Sequence, residues 1–209
     1  GRDDILPAKP ILWQRTSGIW GEYESKWAPM TERMSEEIGS VLFAGLILAT
    51  CKRKYDINLD DEPRILYAMA PPPYATGCWA RLATEELPLR FLPSPEEAEG
   101  MLFEDRLRQG FRLALSEGLD VVFGLPGVLV AMGEQLSRSS QGWNLISHIT
   151  QPRLLLRMGL GLLKSKIARR PLLPKDIWKL RGVAIGGADS SIYRQRIREM
   201  WGEDPLDGY

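Results

Sequence analysis

Residues 180–201 read L-R-G-V-A-I-G-G-A-D-S-S-I-Y-R-Q-R-I-R-E-M-W. In this stretch Val183–Ile185 predicts a buried strand and Ser190–Trp201 predicts a helix. The same order occurs earlier, where an apolar strand at Leu119–Phe123 precedes a helix that begins at Pro126. Strands that alternate with helices predict an α/β domain, with helices on both faces of a largely parallel sheet.

The other elements follow from the same apolar patterns. Ser94-Pro95-Glu96-Glu97 combines an N-cap, a proline at the first helical position and a capping-box carboxylate, so it marks a helix start. The helix that begins at Pro126 is expected to end before Gly142. Further strands are predicted at Ile11–Trp13, Arg64–Ala70 and Leu87–Leu92, and further helices from Thr31 to about Lys54, from Ser94 to Gly118, from Leu154 to Lys166 and from Lys175 to Lys179.

Length and composition indicate a globular chain of one domain or at most two, and the element pattern assigns residues 1–209 to one α/β domain. The hydrophobic fraction of 44% and the charged fraction of 26% are close to those of ordinary soluble domains, which argues against disorder or a fibrous class. The longest apolar stretch, Ile38–Thr50, is too short to span a membrane. Cys51 and Cys78 are too few for a disulfide framework and lack metal-ligand spacing, which favours a reducing, cytoplasmic location.

Basic residues are unevenly distributed along a chain whose Lys plus Arg and Asp plus Glu are equal, at 27 each. Residues 153–181 hold nine basic side chains and a single acidic one, Asp176. Such a run usually forms the solvated face of a helix, and it can also recruit an anionic partner. It therefore leaves open a protein-interaction role for this segment.

The first candidate site is the segment Thr16–Thr31, T-S-G-I-W-G-E-Y-E-S-K-W-A-P-M-T. Glycines let backbone amides approach an anion, hydroxyls donate hydrogen bonds, and a lysine supplies a mobile cation, so the segment suits a polyphosphate. The spacing is not that of the P-loop NTPases. The candidate phosphate-binding residues are Thr16, Ser17, Gly18, Gly21 and Lys26.

The second candidate site is the turn Gly186-Gly187-Ala188, which follows a predicted strand. Ligands of open α/β sheets bind beyond the carboxyl ends of strands, and glycines there let a planar ring lie against the backbone. On this interpretation Gly187→Val weakens ligand binding and leaves the fold intact. The alternative is a tight turn that needs glycine for its backbone conformation.

Together the two segments resemble the adenylate-forming superfamily of acyl-CoA and acyl-amide synthetases, whose phosphate loop T-S-G-T-T-G is followed by K and P. Later in that family a strand ends in G-G-A and is followed by a helix and the motif Y-G-x-T-E, which would begin here at Tyr209. The nearest branches are the phenylacetate–CoA ligase-like and the GH3-like enzymes. The matching positions are Thr16, Ser17, Gly18, Gly21, Lys26, Pro29, Gly186, Gly187, Ala188 and Tyr209.

The resemblance implies ATP and Mg²⁺ as cofactors and a carboxylic acid as substrate. The parent enzyme would form an acyl-adenylate and pass the acyl group to CoA or to an amine. The resemblance also implies that Tyr209 packs on the adenine and that the glycine pair lines the adenine and acyl pocket. Tyr74, Thr76 and Gly77 fall where the family has a loop that borders the acyl site.

The chain also departs from the family pattern. Ile19 and Trp20 replace hydroxyl or small residues, and Lys26 comes two residues late. The family's metal-binding Glu, ribose-binding Asp and catalytic Lys would follow Tyr209, so no catalytic or metal-ligating residue is assigned here. We therefore expect an incomplete piece of a longer enzyme, itself inactive.

A non-catalytic nucleotide- or ligand-binding module is the alternative function. His148 is the single histidine, so the chain has no histidine pair for a metal or a catalytic triad. Core packing explains the tryptophans near predicted elements, so nucleic-acid binding is not expected.

Overall fold

The computed structural model describes residues 6, 8–16, 24–52, 62–139, 152–187 and 190–207 of the chain. The strands in these ranges are β1 (Leu12–Arg15), β2 (Trp27–Met30), β3 (Arg64–Ala68), β4 (Arg90–Leu92), β5 (Val121–Gly124), β6 (Gly182–Ile185) and β7 (Leu206–Asp207). The helices are α1 (Glu32–Met34), α2 (Val41–Ala49), α3 (Ala75–Glu86), α4 (Pro95–Ala98), α5 (Phe103–Glu117), α6 (Pro126–Ser139), α7 (Pro152–Ile167), α8 (Pro174–Ile177) and α9 (Ser190–Trp201), with a π-helix (Ser35–Ser40) between α1 and α2.

A five-stranded parallel sheet forms the centre of the fold, in the order β4-β3-β5-β6-β7. The prediction of an α/β fold with a parallel sheet is confirmed. From β3 the chain moves to β4 on one side and then returns to place β5 on the other. In open α/β sheets this reversal opens a crevice between the carboxyl ends of the two strands concerned, here β3 and β5.

Helices cover both faces of the sheet, as predicted. One face packs against α5, α6, α7 and α9 in a core that includes Leu66, Val122, Ile185 and Trp201. The opposite face packs Tyr67 and other side chains against α3. The indole of Trp201 donates to the Leu129 carbonyl at 3.1 Å, which satisfies its buried N–H and ties α9 to α6.

Several predicted boundaries are confirmed by hydrogen bonds. The Ser94 hydroxyl accepts from the Glu97 amide at 3.2 Å, and the Glu97 carboxylate accepts from the Ser94 amide at 3.1 Å, which completes the capping box. Thr31 caps α1 through the Met34 amide at 3.3 Å. The helix predicted from Ser190 to Trp201 has those bounds.

Other predictions were wrong in extent. The single helix expected from Ser94 to Gly118 is divided into α4 and α5, because Gly100 adopts φ +78 and breaks the backbone between them. The helix expected to reach Lys54 ends at Ala49. β2, α3 and β7 were not predicted at all. No helix within the described residues is long and apolar enough to cross a membrane.

Candidate functional site

The predicted phosphate loop connects two antiparallel strands, β1 and β2. β1 and β2 pair antiparallel, and beyond them the Thr16 amide donates to the Lys26 carbonyl at 2.8 Å. The Lys26 amide in turn donates to the Thr16 hydroxyl oxygen at 3.0 Å. Thr16 and Lys26 therefore close the base of the loop, while Ser17, Gly18 and Gly21 lie outside the described residues.

The base of this hairpin is joined to the segment that follows β3. The Arg15 amide donates to the Pro73 carbonyl at 2.7 Å, and Arg15 forms a parallel bridge with Tyr74. The Arg15 guanidinium also lies 5.7 Å from the centre of the Tyr74 ring. The structure thus brings the predicted phosphate-binding and acyl-binding segments into contact, although they are separated by about fifty residues of sequence.

Tyr74, Thr76 and Gly77 do not form the expected loop. Tyr74 occupies the N-cap position of α3, and Thr76 and Gly77 lie in its first turn. The Thr76 hydroxyl donates to the Ala70 carbonyl at 3.2 Å. A Cβ on Gly77 would lie 2.1 Å from the Pro72 nitrogen, so α3 can pack against the prolines only because this position is glycine.

The glycine pair lies where predicted, directly after β6 at the carboxyl edge of the sheet. Gly187 has φ +124, a conformation that side-chain-bearing residues rarely adopt. Among the described residues, a Cβ on Gly186 would contact the terminal methyl of Met69, at 3.3 Å, which is the flexible end of a side chain. Ala188 and Tyr209 lie outside the described residues.

Arg106 is a buried cation at this edge that the sequence interpretation missed. It lies in the first turn of α5, is fully buried, and donates to the carbonyl of Met69, the residue after β3. Its guanidinium also lies over the rings of Phe103 and Tyr67, at 5.2 and 5.7 Å. Its Nε and Nη1 have no hydrogen-bond partner within the described part of the chain.

Burial changes the pKa of both Arg106 and the neighbouring Tyr67. Burial lowers the pKa of Arg106 from its usual value, and the neighbouring Tyr67 acts in the opposite direction. Burial also raises the pKa of Tyr67 well above its usual range, so its hydroxyl stays protonated and donates to the Ala70 carbonyl at 2.8 Å. The sequence did contain a signal for the burial of Arg106, because Arg106 lies on the same face of α5 as the small residues Gly110 and Ala114.

Two cavities lie near these elements. One of about 440 Å³ is bordered by Pro71–Pro73, Arg81 and the stretch 95–101, next to the segment that follows β3. The other, about 620 Å³ and mostly apolar, lies between α5 and α6 and includes none of the predicted site residues. The first cavity is therefore the one that adjoins the candidate site.

Metal binding has no support within the described ranges. They contain no group of three or more His, Cys, Asp or Glu side chains placed to hold a metal ion. The described residues therefore do not fit Mg²⁺ by themselves. His148 lies outside the described ranges.

Comparison with known proteins finds a likeness in structure alone. No protein family and no curated protein matches the chain by sequence. Among the solved structures that match is an open conformation of 2-hydroxyisobutyryl-CoA ligase in complex with 2-HIB-AMP and CoA. The likeness has a TM-score of 0.53 at 14% identity, and it covers 95% of this chain and 33% of the ligase chain. The chain thus shares the fold of about a third of that ligase.

Proposed function

We propose that this chain forms the nucleotide-binding and acid-binding part of an adenylate-forming ligase. The complete enzyme would activate a carboxylic acid with ATP and transfer the acyl group to CoA or to an amine. The proposal rests on one observation. Segments far apart in sequence meet at the carboxyl edge of a parallel sheet: the base of the hairpin loop joins the turn at Tyr74, and the glycine pair follows β6 at the same edge.

Each segment has a chemical role in this proposal. Thr16 and Lys26, with Ser17, Gly18 and Gly21, would hold the phosphates, since the Thr16 oxygen already accepts from the Lys26 amide and its proton can be donated to a ligand. Gly186, Gly187 and Ala188 would face the adenine, with Tyr209 packed on it. Tyr74, Thr76 and Gly77 would border the acyl group.

Positioning and electrostatics would supply most of the catalysis. The acid and the α-phosphate must be held in line while cationic groups balance the charge that develops on pyrophosphate. Lys26 is an exposed cation at the base of the loop, and Arg106 is a buried one beneath the edge. Mg²⁺, when bound, would neutralise further phosphate charge, with ligands that the described residues do not supply.

The likeness to the CoA ligase supports CoA as the acyl acceptor in this proposal. That ligase binds 2-HIB-AMP and CoA in the solved complex. Carboxylate-dependent exchange of labelled pyrophosphate into ATP, measured on the complete protein, would distinguish a ligase from a module that only binds nucleotide.

The proposal is tested by titrating the 209-residue chain with ATP in a calorimeter. Lys26→Ala should weaken binding about tenfold, the effect of losing one charge-assisted hydrogen bond. Gly186→Ala should weaken it several-fold without loss of stability, because within the described residues the added carbon contacts the flexible end of Met69.

Two control variants make the titration specific. Lys9→Ala removes an exposed lysine before the hairpin, and Gly159→Ala adds a methyl group in open space on α7. Neither should change the affinity for ATP. Absence of ATP binding, or equal losses in Lys26→Ala and Lys9→Ala, would contradict the proposal.

A further inference from the structure

Helix α7 carries large aliphatic side chains on two opposite sides. Leu154, Met158 and Gly161 are buried against the core. On the other side Leu156, Leu160, Leu163 and Ile167 are 65%, 50%, 55% and 75% exposed. We refer to these four exposed residues as the α7 stripe.

The α7 stripe is a continuous ridge. Its residues follow one another at intervals of four, three and four, so they lie on one side of the helix. Ile167 comes eleven positions after Leu156, which corresponds to a length of about 17 Å along the helix. Scattered exposed aliphatic residues are normal on a protein surface, but an aligned set of four indicates an interaction surface.

The charged side chains of α7 and of the segment that follows it have a single sign. Residues 152–175 contain no Asp or Glu, and Arg153, Lys164, Lys166 and Arg169 are exposed there. The nearest acidic residue in sequence, Asp176, is buried. Its carboxylate accepts hydrogen bonds from Nη1 and Nη2 of Arg170, at 2.6 and 2.7 Å. It therefore does not offset the positive charge around the stripe.

The helix is held in place before any partner arrives. The Arg157 guanidinium donates to the carbonyls of Leu115, Ser116 and Glu117, at 3.0, 2.9 and 3.1 Å. These carbonyls end α5, so the arginine fixes α7 against the core of the domain. A preformed helix loses little conformational entropy on binding, which favours association.

We propose that the α7 stripe docks this protein on an anionic lipid surface. Peptide and protein helices are usually bound in apolar grooves, whereas the stripe is convex and can enter the boundary between headgroups and acyl chains. The basic side chains beside it match the negative charge of anionic headgroups. This inference is independent of the proposed ligase function.

The test measures co-sedimentation of the 209-residue chain with vesicles. One set contains phosphatidylcholine alone, and the other contains about a quarter phosphatidylglycerol. The chain should bind the anionic vesicles at least tenfold more tightly, because several exposed basic side chains lie beside the stripe. Binding should weaken as salt is added.

Variants distinguish vesicle binding through the α7 stripe from nonspecific adsorption. Leu160→Ser combined with Leu163→Ser should lower the partition coefficient at least tenfold, because two aliphatic side chains no longer enter the lipid. The matched control is Ile192→Ser on α9, whose side chain is 71% exposed, and it should leave binding unchanged. Circular dichroism checks that each variant is folded.

Three outcomes would overturn the proposal. The chain would show no preference for anionic vesicles, or Ile192→Ser would reduce binding as much as the stripe variant. In the third, the chain would not bind vesicles but would form a dimer that Leu160→Ser abolishes, which would mean that a second copy covers the stripe.

Discussion

The chain leaves the sheet in contrasting ways after β3 and after β6. After β3 it turns through three prolines into α3, and a Cβ on Gly77 would collide with the Pro72 nitrogen at 2.1 Å and the Pro71 carbonyl carbon at 2.2 Å. After β6 a Cβ on Gly186 would meet one flexible methyl group at 3.3 Å. Glycines that look alike in sequence therefore lie at a tightly packed exit in one case and at a less crowded one in the other.

This difference bears on where a ligand can approach. The exit after β3 is filled by its own backbone and by the hydroxyls of Tyr67 and Thr76, which both donate to the Ala70 carbonyl. The exit after β6 leaves backbone accessible beside Met69. A planar ring therefore finds more room at Gly186 than at Gly77.

The largest expected effect is that of Gly77→Ala. The added methyl group overlaps backbone atoms that cannot move without displacing α3, so we expect the free energy of unfolding to fall by about 3 kcal/mol. Urea unfolding measures this change. In Gly159→Ala, where nothing lies within 4 Å, the same methyl group should raise the free energy of unfolding by about 0.5 kcal/mol. Equal stability of Gly77→Ala and the native protein would mean that the first exit is as open as the second.

Gly187→Ala is expected to have an intermediate effect. Leu125 lies 3.5 Å from the added carbon, an ordinary contact, but φ +124 strains any residue other than glycine. The free energy of unfolding should fall by about 1.5 kcal/mol. This expectation replaces the sequence-based one that Gly187→Val leaves the fold intact. A thermal melt that coincides with that of the native protein would show that the turn does not depend on its positive φ.

The smallest expected effect on stability is that of Arg106→Met. It removes a buried cation whose Nε and Nη1 have no partner in the described residues, together with one hydrogen bond to Met69. Removing the buried charge stabilises the fold, and losing the hydrogen bond destabilises it. The free energy of unfolding should therefore change by no more than about 1 kcal/mol. Affinity for ATP or for the acid should fall at the same time, as measured by calorimetry.

The control for that variant is Arg108→Met, on the same helix but exposed and paired with Asp105. It should change neither stability nor affinity. If Arg106→Met alone lost several kcal/mol with unchanged affinity, Arg106 would be part of the closed exit after β3 and would have no role toward an anion.

Local signals explain what the sequence could predict. The helix Ser190–Trp201 was predicted with the bounds that it has, because its apolar spacing is encoded locally. The β5 and β6 strands were found because they are short apolar runs that are buried on both faces. The hydrogen bonds of the Ser94 capping box likewise involve residues only three positions apart.

Long-range contacts explain what was missed. Helix α3 begins with small residues, and Gly77 argues against a helix until its approach to Pro72 is known. β2 contains Pro29 and is formed by pairing with β1, so it has little strand signal of its own. Arg106 looks like an ordinary surface arginine unless its place on the buried face of α5 is noticed. The joining of the hairpin to Tyr74 depends on a contact between segments distant in sequence.

The hydrogen bonds between Thr16 and Lys26 have a consequence for the binding of a phosphate. Bringing the two ends of a loop together has an entropic cost. Here the ends, Thr16 and Lys26, are already joined by two hydrogen bonds, at 2.8 and 3.0 Å. The Arg15 amide next to them donates to the Pro73 carbonyl. A phosphate that binds beside Thr16 and Lys26 therefore does not have to bring these two residues together first.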